Sequence, residues 1–98
     1  MKKKFEKNIK IINKYFGFIQ EVYNVKKIGI FGSVVRGQQK RCSDIDILIE
    51  LSKPMGFFEF LELEDFLSKI LKKKVDLVTK NALKPVMKKD ILKEVIYV

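Results

Sequence analysis

The sequence predicts a small α+β domain, with helices packed mainly on one face of a mixed β-sheet. Three observations predict it. Apolar residues recur at spacings of three and four over residues 4–20 and again over 56–72, the period of amphipathic helices. Short runs rich in Val and Ile lie between and after them, alternating in the manner of strands. The 98 residues carry no repeat, linker or low-complexity segment, which suits a single domain over 1–98.

The elements follow in order. Phe5, Ile9, Ile12, Phe16 and Ile19 form the apolar stripe of a first helix over 4–20, which Gly17 could shorten. Val25 to Phe31 reads as a strand, with Ile28 and Ile30 on one face and Gly29 and Phe31 on the other. Gly32-Ser33 ends it, Ser33 could cap a short helix from Val34, and Arg36-Gly37 closes that helix. A polar loop runs from Gln38 to Ser43. Residues 44–51 form a second strand, with Ile45, Ile47 and Ile49 opposite Asp44, Asp46, Leu48 and Glu50. Over 56–72 a second long helix should turn Phe57, Phe60, Leu61, Leu67 and Leu71 inward, with Phe66 and Ile70 widening the stripe. Lys74 to Thr79, with Val75-Asp76-Leu77-Val78 at its centre, is the third strand, and Pro85 suits the first turn of a last helix over 86–95.

Composition narrows the chemistry. No apolar run approaches the roughly 20 residues that span a membrane. The basic start is interrupted by Glu6, Lys7 and Lys10, so no signal-peptide core is expected. One cysteine, Cys42, excludes an internal disulfide framework and fits a reducing cytoplasm. With no histidine, a catalytic base must be a carboxylate, a lysine or a tyrosine. A metal site built from oxygen suits Mg²⁺ or Mn²⁺ rather than Zn²⁺. The net charge of +9 favours polyanions or an acidic partner. Yet the cations are spread along the chain and nearly all lysine, with only Arg36 and Arg41 as arginines, so a solvated lysine surface is the plainer reading.

The chemistry concentrates in two short stretches, Gly32-Ser33-Val34-Val35-Arg36-Gly37 and Ser43-Asp44-Ile45-Asp46. Carboxylates two apart on a strand share a face, and like charges side by side are costly without a cation. If the first two strands are neighbours, these acids meet the Gly32-Ser33 turn, which offers backbone N–H groups, a hydroxyl and a helix N-terminus to a phosphate. Asp76 projects to the same side if its strand aligns, and a mid-strand aspartate is unfavourable unless paired or metal-bound. Two Mg²⁺ ions could then be held by Asp44 and Asp46. Asp76 would complete the site and accept the proton of an attacking hydroxyl.

This set resembles the nucleotidyltransferase superfamily that includes DNA polymerase beta, and most closely the minimal nucleotidyltransferase (MNT) domain, the MntA-type antitoxin of HEPN toxins. Gly32, Ser33, Arg36, Gly37, Ser43, Asp44 and Asp46 carry the resemblance, with Asp76 as the expected third acid. The resemblance implies the polymerase beta-like fold and NMP transfer from a nucleoside triphosphate. It implies Asp44, Asp46 and Asp76 as catalytic and metal-holding residues for two Mg²⁺ ions, with Mn²⁺ as a substitute. It also implies Gly32, Ser33, Arg36 and Ser43 as nucleotide-binding residues. For MntA-like members it implies AMP transfer from ATP to a tyrosine of the HEPN toxin.

Plainer roles stand beside these. Ser33 could be a helix N-cap, Gly32 and Gly37 turn formers, Arg36 a surface salt-bridge partner and Asp44 a turn cap. Asp46, between Ile45 and Ile47 inside a strand, is hardest to explain in that way. Glu59, Glu62, Glu64 and Asp65 read as the solvated side of a helix, with Asp65 and Lys69 at pairing distance, while Phe57, Phe58 and Phe60 read as core. Two other functions stay open: an antitoxin that neutralises by binding alone, and a nucleotidyltransferase with a small-molecule or nucleic-acid acceptor. Direct nucleic-acid binding driven by charge ranks below both.

Overall fold

The computed structural model describes residues 4–32, 35 and 44–98. Helix α1 spans Lys4–Tyr23, strand β1 Val25–Phe31, β2 Ile45–Leu51, α2 Phe57–Leu71, β3 Val75–Thr79, α3 Pro85–Glu94 and β4 Ile96–Tyr97. The mixed sheet has the order β3-β2-β1-β4. β1 pairs antiparallel with β2 and β4, while β2 and β3 are parallel and joined through α2. A parallel pair needs such a crossover, and the helix fills it. Among the described residues, no helix is long and apolar enough to cross a membrane.

Side-chain alternation sorts the sheet into two faces. Ile28, Ile30, Ile45, Ile47, Ile49, Val75 and Leu77 are buried with Ile12 and Ile19 of α1 and Leu63, Leu67 and Leu71 of α2. The other face carries a smaller cluster, Phe31, Leu48 and Ile91, with Val78, Leu83, Leu92 and Val95 packed against it. Thus α1 and α2 cover one face and α3 covers part of the other. Asp46 and Asp76 lie on the α3 side, since they alternate with buried Ile45, Ile47, Val75 and Leu77.

Several expectations are corrected. α1 runs on to Tyr23, past Gly17, and ends where Asn24 takes a left-handed φ of 58° and its N–H binds the Gln20 carbonyl at 3.0 Å. Asparagine tolerates that conformation better than most residues. In α2 the inward residues are Leu63, Leu67 and Leu71, while Phe57 is 70% and Leu61 41% exposed. Leu61 is two residues from Leu63, more than half a turn, and so points away from the sheet. Phe58 is also exposed rather than core. Glu64 is half-buried, and its Oε2 accepts the Leu77 N–H at 3.2 Å instead of facing solvent alone. The Asp65–Lys69 pair forms at 2.9 Å on the surface.

Two elements had not been anticipated. A 3₁₀ turn over Lys80–Ala82 links β3 to α3. The two-residue β4 pairs Tyr97 with Gly29 and Ile96 with Ile30. Gly29 permits this: a β-carbon there would stand 2.7 Å from Val95 Cγ2 and 3.0 Å from the Ile96 carbonyl oxygen. The expected short helix from Val34 and the loop Gln38 to Ser43 lie outside the described residues, apart from Val35, whose N–H binds the Gly32 carbonyl at 3.1 Å.

Candidate active site

Three strand ends meet at one end of the α3-side face. The antiparallel register of β1 and β2 places Phe31 opposite Asp46, so Gly32, the next residue, arrives beside that carboxylate. The parallel register of β2 and β3 sets Asp46 level with Asp76. Gly32 has a φ of +82°, which a side chain rarely tolerates, and a β-carbon on it would collide with the Asp46 carboxylate. The glycine thus lets the backbone turn close against the acid.

These residues open onto a cleft of about 480 Å³. Gly32, Asp46, Asp76 and Glu94 form its polar wall, and Lys84 stands at its edge. Phe31, Val78, Leu83, Met87 and Ile91 give it an apolar lining. A second cavity, about 450 Å³, is lined by Met55, Phe57, Phe60, Leu77, Thr79 and neighbours, none of them charged. Only the first of the two combines carboxylates, a cation and an apolar wall, as transfer chemistry on a nucleotide requires.

The structure therefore brings together three of the residues expected from sequence, Gly32, Asp46 and Asp76. Asp44 is half-exposed immediately before β2 and does not line the cleft. Ser33, Arg36 and Ser43 lie outside the described residues. Glu94 and Lys84 were missed. Lys84, Met87, Ile91 and Glu94 recur at helical spacing, but nothing in that stripe says which face of the sheet it will meet.

The donor set fits a hard divalent cation. Its side chains offer only oxygen, and the missing β-carbon of Gly32 leaves the Asp46 carboxylate its place. Among the described residues no three acids stand close enough to hold one ion by themselves. A hard divalent cation can be held by one or two carboxylates together with substrate phosphates, so the level pair Asp46 and Asp76 is compatible with such a site.

The family model of the nucleotidyltransferase domain matches residues 9–98. The chain belongs to the nucleotidyltransferase domain family. It is 46% identical over 89 residues to a Methanocaldococcus jannaschii protein provisionally named protein adenylyltransferase MJ1217, covering 90% of this chain and 91% of that one. It is 44% identical over 80 residues to protein adenylyltransferase MntA of Thermococcus cleftensis, covering 82% and 81%. Among solved structures, a toxin–antitoxin crystal structure with AMP-PNP superposes with a TM-score of 0.73 at 27% identity, over 87% of this chain and 69% of that one. A Shewanella oneidensis complex of a tri-AMPylated HEPN toxin with its MNT antitoxin gives a TM-score of 0.67 at 21% identity, over 92% and 70%. The fold of this nucleotidyltransferase is the polymerase beta-like fold of the minimal nucleotidyltransferases, as expected from sequence.

Proposed function

We propose that this nucleotidyltransferase moves AMP from ATP onto a tyrosine hydroxyl of a HEPN-type toxin, depends on divalent cations, and acts through that modification as the antitoxin. The observation that carries the reading is the in-register pair Asp46 and Asp76 in a cleft beside Gly32. The names of the relatives support AMP as the group and a protein as the acceptor, and the neighbouring complexes support a HEPN partner.

Asp46 and Asp76, with Asp44 at the entry to β2, would hold two Mg²⁺ ions, or Mn²⁺ in their place. Bound there, the ions offset phosphate charge and make the acceptor hydroxyl more acidic. The Gly32 turn and, in this reading, Ser33, Arg36 and Ser43 hold the triphosphate. A carboxylate oxygen of Asp76, which is solvent-exposed, takes the tyrosine proton. The tyrosine oxygen bonds to the α-phosphorus as the bond to the bridging oxygen breaks, and pyrophosphate leaves. The reaction belongs in the reducing cytoplasm.

The test is incubation with ATP labelled at the α-phosphate, Mg²⁺ and any HEPN-type protein found to be encoded by an adjacent gene. Label on a tyrosine of that protein is expected. Its absence, with both proteins folded, sinks the reading. Should an Asp46→Asn variant still protect cells from the toxin, neutralisation is by binding alone.

A further inference from the structure

We propose that the outer face of α3, beside the cleft, is where the protein acceptor docks, and that the acceptor presents its hydroxyl from an acidic, partly apolar surface. The inference rests on the AMP-transfer reading above. It begins with the sheet. Three exposed apolar patches occur among the described residues: Phe18 and Val22 on α1, Phe57 and Phe58 on α2, and Val86 and Met87 on α3. α1 and α2 cover the face opposite Asp46 and Asp76, so a partner seated on them has the sheet between it and the acids. Of these three, only the α3 patch shares the face of the cleft; Tyr97, 40% exposed on β4, lies on that face too but does not line the cleft.

That patch is continuous with the cleft. Ile91, 9% exposed, and Met87, 54% exposed, both line the cleft, and Val86, next to Met87 in the chain, is 83% exposed outside that lining. A single exposed valine needs no explanation, but a graded apolar path out of a reaction cleft marks a binding surface. Charge gives the partner its sign. Lys84, Lys88, Lys89 and Lys93 outnumber Asp90 and Glu94, and among the described residues none of these four lysines is in an ion pair. By contrast α2 carries Glu59, Glu62, Glu64 and Asp65 against Lys69. An acidic acceptor is therefore drawn to α3 and repelled by α2.

The test compares Val86→Glu with Phe58→Glu and Phe18→Glu, each checked for an unaltered circular dichroism spectrum. Affinity for the HEPN-type protein of the test above is measured by calorimetry at low and high salt, beside binding of ATP without acceptor. Val86→Glu should weaken binding by about tenfold or more, as loss of a docking contact does, and leave ATP binding unchanged. The other two should bind as the unaltered protein does, and affinity should fall with salt. Full affinity in Val86→Glu overturns the proposal. So does a loss confined to Phe58→Glu or Phe18→Glu, or no binding by the unaltered protein. If no label passes from ATP to the bound HEPN-type protein while binding depends on Val86, AMP transfer falls and the docking face stands.

Discussion

Gly32 and Asp46 are packed so closely that a β-carbon on the glycine would lie 3.0 Å from Asp46 Cγ and overlap Oδ2. The carboxylate is too short to swing clear without leaving the cleft. Gly32→Ala should therefore act twice. The left-handed backbone costs about 1–2 kcal/mol for a residue with a side chain, and the displaced acid should remove most AMP transfer. Thermal denaturation and a label-transfer assay check the two effects separately.

Asp46→Asn and Asp44→Asn should abolish transfer with little loss of fold, because a neutral amide holds divalent cations poorly. Asp76→Asn should also stop transfer while raising stability in metal-free buffer by about 0.2–1 kcal/mol, since it removes a like charge level with Asp46. Chemical denaturation with and without Mg²⁺ separates these outcomes; a destabilised Asp76→Asn protein would contradict the charge argument.

α2 blunts the free edge of the sheet. β3 is an edge strand, and its Val75 and Leu77 N–H groups bind Ser68 Oγ at 3.1 Å and Glu64 Oε2 at 3.2 Å. Glu64→Ala should cost about 1–2 kcal/mol by leaving an N–H unpaired. It should also promote concentration-dependent association through the opened edge, which light scattering would detect. Glu64→Gln retains an acceptor and should behave nearly as the unaltered protein.

Leu63 is fully buried whereas Phe57 is mostly exposed, the reverse of their prominence in the sequence. Leu63→Ala should cost about 2–5 kcal/mol, and Phe57→Ser about 0.5 kcal/mol or less. Urea unfolding midpoints decide between them.

Burial, aided by the nearby Glu62 carboxylate, raises the Tyr23 phenol above its ordinary value of 10.0. The folded state thus holds this proton more tightly than the unfolded one. The associated stability is present in full below about pH 10 and is lost as pH rises through the folded value. Ultraviolet titration should show Tyr23 ionising late, and Glu62→Gln should bring it earlier.

Strand positions and the acid-bearing face were legible in the sequence because alternation has a period of two, and Ile45, Ile47 and Ile49 leave no doubt about the buried side. The phase of α2 was not, because six apolar residues from Phe57 to Phe66 admit more than one inward stripe. Phe57, Phe58, Phe60, Leu61 and Leu63 differ in direction, not in character. β4 was hidden by its length, since two residues carry no period. Glu94 and Lys84 were hidden for another reason. Their place in the cleft depends on α3 crossing to the second face, which is a tertiary event.

The level placement of Asp46 and Asp76 on parallel neighbours has a kinetic consequence. Parallel strands cannot be closed by a local turn, so the two acids meet only after α2 has formed and folded back. A partly folded chain that has made only the β1–β2 hairpin holds one acid of the pair. ATP and its cations should thus bind the native state alone, and their presence should slow unfolding without speeding collapse.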